Sequence, residues 1–213
     1  KFPDSTIDYM CYPNSIDVLI ENPNIDNIIP VTNKIRKSTF EFIKFIFEIR
    51  RKKYDAVIDV YSKLGTSLIT FFSGAKYKVS YHKWYSNIFY NYSYERFDAI
   101  KSEFGLAIEN RLLLLKPFFS EKITNVKPKI FLKESEIAEA KNILKSYNVD
   151  PEKPLIMFGI LGSEHYKTYP LDGMAKIIDF TVAKTNATIL FNYIPNQKEQ
   201  ALEVYNYCSQ ETK

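Results

Sequence analysis

Apolar and polar positions along this chain follow two periods. Short runs of β-branched and aromatic residues predict strands at Thr6–Tyr12, Asn27–Val31, Ala56–Val60, Lys76–Tyr81 and Pro128–Leu132. Between them apolar residues recur at helical spacing, in Ile16–Glu21, Ser38–Lys53, Lys63–Phe72, Gly105–Phe118 and Ser135–Tyr147. In the second of these helices Phe42, Ile43, Ile46 and Ile49 mark one face. Phe40, Phe45 and Phe47 widen that face, so the helix is expected to be buried over much of its surface. Ala56–Val60 is a compact apolar run of the kind found in parallel sheets covered on both sides. The stretch from His82 to about Lys101 reads as a loop.

The polar run Asn148-Val-Asp-Pro-Glu-Lys-Pro154 carries two prolines and is the best linker. After it the rhythm restarts: strand Leu155–Ile160, a loop to Pro170, helix Leu171–Lys184, strand Ala187–Asn192 and helix Asn196–Cys208. Strands alternating with helices predict an α/β fold of two Rossmann-like units with parallel sheets. The units are expected at 1–150 and 151–213. Two strands bury too little for a complete second domain, so that domain is expected to continue beyond Lys213.

Composition changes this picture little. An apolar fraction of 46% and a charged fraction of 25% fit a globular fold rather than disorder. A net charge of +4 favours contact with phosphates or an acidic membrane surface, but no dense basic stripe argues for nucleic acid. Cys11 and Cys208 lie in no metal-ligand or CxxC pattern, which fits a reducing, cytoplasmic setting. No run of 18 apolar residues predicts a membrane-spanning helix. The opening Lys1-Phe2-Pro3-Asp4 has neither an initiator Met nor a signal pattern, as expected of a fragment or an ordered core.

The chemistry-bearing segment is Phe158-Gly-Ile-Leu-Gly-Ser-Glu-His-Tyr-Lys-Thr-Tyr-Pro170, which joins a buried strand to a helix. Ligands of open α/β sheets sit beyond the carboxyl ends of the strands. Gly162 and Ser163 offer a backbone that a phosphate can approach and a hydroxyl donor. Lys167 offers a mobile cation, and the helix after Pro170 offers oriented N–H groups. Spacing alone also fits an ordinary strand–helix loop.

Other residues admit two readings each. Asp59 caps the following helix or meets a ligand at the sheet edge. The run Arg50–Lys53 answers the helix dipole or touches anionic lipid. His82 and His165 read as loop residues, since neither has an evident carboxylate partner. The nine aromatics from Tyr77 to Phe97, with His82, Lys83 and Arg96, pack the domain edge, stack on sugar rings or rest on a membrane surface.

Lys167-Thr168-Tyr169-Pro170 with Met174–Ile178, and the apolar strand with Gly162-Ser163 before it, resemble the Lys-x-Trp-Pro segment of the bacterial heptosyltransferases, glycosyltransferase family nine. Tyr54–Asp59, Ser67–Ile69 and Phe72–Lys76 resemble that family's strand, helix and Ser-Gly-Ala-Lys turn. Glu21–Asp26 resembles its Asn-Pro-x-Ile-Asp turn, and Phe2–Ser5 the end of its first helix. The resemblance implies a GT-B architecture of which this chain carries a part, with the first strand missing. It implies an inverting glycosyltransferase that moves a heptose or other sugar from a nucleotide-sugar donor to a lipopolysaccharide-type or other glycan acceptor. Neither cofactor nor metal is implied.

On that resemblance Gly162, Ser163 and Lys167 match the donor-phosphate loop. Lys63, Ser67, His82, Lys83 and Trp84 fall on the acceptor side, and the catalytic base has no counterpart in this chain. Tyr169 stands where the family carries Trp, and Thr66 stands where a cation usually precedes Ser67. A cytoplasmic location is expected, with peripheral contact at the cytoplasmic face of the inner membrane as a further partner. The alternative is a non-catalytic nucleotide- or sugar-binding module of the same fold.

Overall fold

A computed structural model describes residues 4–119, 127–150 and 152–212. Phe2 and Pro3 of the resemblance, and Pro151 of the expected linker, lie outside the described residues. The chain divides into two compact units, 1–132 and 133–213. The division falls earlier than the expected boundary at 150, because the helix at Glu134–Ser146 groups with the second unit.

The first unit holds β1 (Asp8–Cys11), β2 (Asn27–Pro30), α1 (Asn33–Lys37), α2 (Thr39–Arg51), β3 (Ala56–Asp59) and α3 (Leu64–Phe72). It continues with β4 (Tyr77–Tyr81), α4 (Ser86–Phe89), β5 (Tyr92–Tyr94) and α5 (Leu106–Leu113). β1 pairs in parallel with β2, and β3, β4 and β5 form a second parallel sheet in that order. The β1–β2 sheet and helices α2 and α3 share one core, in which Phe45, Ile49 and Ile69 pack with Met10, Ile29 and Phe42. α2 starts where the sequence places it, because the Ser38 hydroxyl accepts the Glu41 N–H at 3.4 Å. Its basic end is tied down: Arg50 Nη1 donates to the Phe72 carbonyl at 3.0 Å and Lys52 pairs with Asp8 at 3.1 Å. The Ser-Gly-Ala-Lys turn places Gly74 at φ +78°, in the left-handed region open to a residue without Cβ.

The second unit holds α6 (Glu134–Ser146), β6 (Leu155–Gly159), α7 (Leu171–Thr185), β7 (Thr188–Asn192) and α8 (Lys198–Tyr207). β6 and β7 pair in parallel. Ile160, Ala175, Ile178, Ala201 and Val204 form the core between strands and helices. α7 ends at Asn186, which takes the left-handed φ of +51° that Asn tolerates.

Four expectations are corrected. Pro128–Leu132 forms no strand: Ile130 and Leu132 are both 59% exposed, and no strand pairs with them. The Ile16–Glu21 helix is instead a 3₁₀ turn at Pro13–Ser15 followed by turns. The helix expected to reach Phe118 closes as α5 at Leu113 and continues as turns. The loop after His82 contains α4 and the strand β5, whose alternation Tyr92-Ser93-Tyr94 pairs it with β4.

Candidate functional site

In the second unit a polar cleft of about 230 Å³ opens at the carboxyl end of β6. Gly162, Ser163, Glu164, His165 and Thr168 line it from the loop after β6, and Gln197 and Gln200 from the segment after β7. The loop folds on itself through Thr168. The Gly162 N–H donates to Thr168 Oγ1 at 3.2 Å, and that hydroxyl donates to the Glu164 carbonyl at 3.1 Å. Gln197 Nε2 donates to the Gly162 carbonyl at 3.1 Å and so joins the two strand-end loops. A Cβ at Gly162 would lie 2.5 Å from the Lys167 carbonyl oxygen, so only glycine fits this closure.

Lys167 flanks the cleft rather than lining it. Its Nζ stands 5.4 Å from the centre of the Tyr166 ring, and no carboxylate pairs with it among the described residues. The first turn of α7 does not present bare amides: Asp172 sits there, paired with Lys176 at 3.2 Å. That ammonium, with the Gly173 N–H, holds the Asp172 carboxyl below the ordinary carboxylate range.

In the first unit the carboxyl end of β3 is built around Asp59. Its carboxylate accepts the N–H groups of Tyr61 at 2.9 Å and Ser62 at 2.8 Å, and the Tyr90 hydroxyl at 2.7 Å. Tyr90 reaches Ser67 Oγ at 2.7 Å, and Ser80 Oγ donates to the Asp59 carbonyl at 2.8 Å. Burial and the adjoining Asp59 carboxylate push the Tyr90 phenol well above its ordinary value. This network holds Ser62 at φ +52° and aims its carbonyl at Lys83 Nζ and the Tyr85 hydroxyl. Lys63 is exposed, with its ammonium 4.5 Å from the centre of the Tyr61 ring. The closeness of the two groups draws the Tyr61 phenol down and the Lys63 ammonium up.

Residues 42–212 match the family model for glycosyltransferase family 9 (heptosyltransferase). The chain belongs to glycosyltransferase family 9. It is 27% identical over 122 residues to lipopolysaccharide heptosyltransferase 3 of Escherichia coli, a match covering 55% of this chain and 35% of that protein. The same-named protein of E. coli strain K12 is 31% identical over 84 residues, covering 38% of this chain and 24% of the relative. The chain thus spans about a third or less of the curated relatives it matches.

Among solved structures, a family 9 glycosyl transferase from Veillonella parvula superposes with a TM-score of 0.80 at 20% identity, over 97% of this chain and 59% of that one. E. coli ADP-heptose LPS heptosyltransferase II gives 0.72 at 17% identity, over 99% and 62%. An E. coli heptosyltransferase solved with ADP gives 0.63 at 18% identity, over 97% and 65%. The α/β, GT-B-like architecture expected from the sequence is the fold shared with these family 9 structures.

Of the residues that the resemblance marked, Gly162 and Ser163 meet in one cleft and Lys167 stands beside it. Lys63 and Lys83 both adjoin the Ser62 turn. Ser67, expected on the acceptor side, is fully buried, and its hydroxyl is held between Tyr90 and the Lys63 carbonyl. Asp59 organises the turn and does not cap α3, where Thr66 Oγ1 accepts the Lys63 N–H. His82 has a carboxylate partner after all, Glu95 at 3.6 Å, brought alongside by β5. Trp84 is 91% exposed, its ring in edge contact with Tyr85. Thr168, Gln197 and Gln200 were missed. The rule that strand-end loops converge points to the region of Gln197, but only the β6–β7 pairing brings it to Gly162.

Proposed function

We propose that this chain carries the donor-binding loop and part of the acceptor face of a cytoplasmic, inverting glycosyltransferase. It moves a heptose or other sugar from a nucleotide-sugar donor to a lipopolysaccharide-type glycan. The observation that carries this reading is the Gly162–Thr168–Gln197 closure, a polar cleft at a strand end in a family 9 chain. The hydroxyl of the exposed Ser163 suits a diphosphate oxygen, and Lys167 swings on a four-carbon stem to add positive charge to the leaving diphosphate. Relatives solved with ADP and described by ADP-heptose make an adenine nucleotide the first ligand to try. Lys63, Lys83 and His82, at the carboxyl ends of β3 and β4, serve the acceptor; Ser67 supports them from beneath.

Inversion requires a general base at the acceptor hydroxyl, and this reading assigns none among residues 1–213. Asp59 is unsuited, with its carboxylate already holding three hydrogen bonds. The alternative is a nucleotide- or sugar-binding module without transfer. The first test is calorimetry with ADP on wild type and Lys167→Ala. The variant should bind about 1.5–3 kcal/mol more weakly with its fold intact. Equal affinities would remove the donor assignment. Sugar transfer from the nucleotide-sugar then separates the enzyme from the binding module.

A further inference from the structure

We propose that Tyr90 is a positioning residue: its buried hydroxyl sets the Ser62 turn at the end of β3, and through that turn the ammonium group of Lys83. This deepens the acceptor reading of Lys63 and Lys83 and rests on it. Tyr90 follows α4 in the chain, yet its hydroxyl bonds to Asp59 of β3 and Ser67 of α3. Tyr90 is 7% exposed, Asp59 6% and Ser62 1%, and Ser67 and Ser80 are closed off altogether. These five polar side chains share the interior at the end of the sheet. Apolar groups of similar size would fill that space without the loss of hydration. Polar groups that all find partners do something apolar ones do not: they select one arrangement.

What this arrangement fixes is the backbone at Ser62. Its φ of +52° is one that serine seldom adopts, and it persists only where surrounding contacts impose it. The Asp59 carboxylate imposes it: Oδ1 takes the N–H groups of Tyr61 and Ser62, while Oδ2 takes the Tyr90 hydroxyl. Tyr90 thus holds the far oxygen and keeps the carboxylate from turning away from the two amides. Burial and the adjoining carboxylate keep the phenol protonated well above neutral pH, so it serves as a donor and not as a base. The Ser62 carbonyl, aimed by the turn, receives Lys83 Nζ and, at 3.3 Å, the Tyr85 hydroxyl. Lys63 is the next residue. Its carbonyl accepts from Ser67 Oγ at 3.0 Å, the same oxygen that stands 2.7 Å from the Tyr90 hydroxyl. One phenol therefore reaches both cations at the end of β3, Lys83 through Asp59 and Lys63 through Ser67.

The test is Tyr90→Phe in the full-length protein, which removes one oxygen and keeps the ring. Amine acetylation followed by mass spectrometry reads each lysine, with exposed Lys198 of the second unit as the internal reference. In wild type Lys83 should react more slowly than Lys198, and equal rates would overturn the proposal without any variant. In Tyr90→Phe, checked for folding by circular dichroism, the rate at Lys83 should rise about fivefold relative to Lys198, since an ammonium released from its acceptor gives up a proton more readily. The KM for the acceptor glycan should rise about fivefold while that for the nucleotide-sugar holds. Asp59→Asn should act in the same direction, and adding Tyr90→Phe to it should change little further. Leu114→Ala, in the separate core around Val79, should lower the melting temperature and leave the Lys83 rate alone, which separates positioning from lost stability. An unchanged Lys83 rate in folded Tyr90→Phe would overturn the proposal, as would additive effects of the two substitutions at Asp59 and Tyr90. A faster Lys83 with an unchanged acceptor KM would uphold the positioning and instead remove Lys83 from the acceptor reading.

Discussion

At position 162 a single added carbon meets the Lys167 carbonyl at 2.5 Å and backbone carbon at 2.7 Å. The obstacle is main chain, so it does not swing aside as a side chain would. Gly162→Ala should therefore open the Thr168 closure, lower stability by about 1–3 kcal/mol, and weaken ADP binding in the same calorimetric titration. Unchanged stability and affinity would mean that the loop has room the structure does not show. Asp8 offers a second measurement at this scale. Burial would raise its carboxyl, but hydrogen bonds from Tyr54, Asn27 and Lys52 outweigh burial and hold it below the ordinary value. A depressed folded-state value means that the stabilisation is present above the ordinary carboxylate range and is lost as pH falls through the depressed one. Urea unfolding between about pH 7 and pH 3 should show an acid limb that flattens in Asp8→Asn. Gly162 and Ser163 were legible because their meaning is local: a buried strand, then a residue without Cβ, then a hydroxyl. Thr168 and Gln197 were not, because a threonine in a loop and a glutamine before a helix acquire their partners only when the two strand-end loops close.

The elements were most legible where period and burial agree. α7 buries Ala175 and Ile178 against β6 and α8, as the apolar positions of Leu171–Lys184 predict. Ile178 is fully buried, so Ile178→Ala should cost about 2–5 kcal/mol, while Phe180→Ala, at a side chain 64% exposed, should stay within about 0.5 kcal/mol. Thermal or urea unfolding of the two variants checks the contrast, and similar losses would contradict the assigned face. Legibility failed where a strand depends on a partner. Residues 128–132 have strand composition and no ladder, while Tyr92–Tyr94 was hidden in an aromatic run and is fixed by its register with Val79–Tyr81. α6 shows a third case: its period is helical and the helix forms, yet none of its residues is buried.

For the whole molecule the division into 1–132 and 133–213 is open to a direct test. Residues 127–133 form neither helix nor strand. Brief digestion with a protease of broad specificity should cut first in that stretch and leave α6 attached to the carboxyl-terminal fragment. First cleavage within residues 148–154 would restore the boundary near 150. The doubly covered parallel sheet that Ala56–Val60 suggested is only partly realised, since Ile58 is 38% and Val60 45% exposed. Among the described residues β4 alone has a strand on each side; the other six strands are edges. Each edge presents a row of N–H and C=O groups with no ladder partner, and such rows template pairing between molecules. Residues 1–213 purified alone are therefore expected to be colloidally fragile, with light scattering that rises with concentration and temperature before the cores of either unit melt.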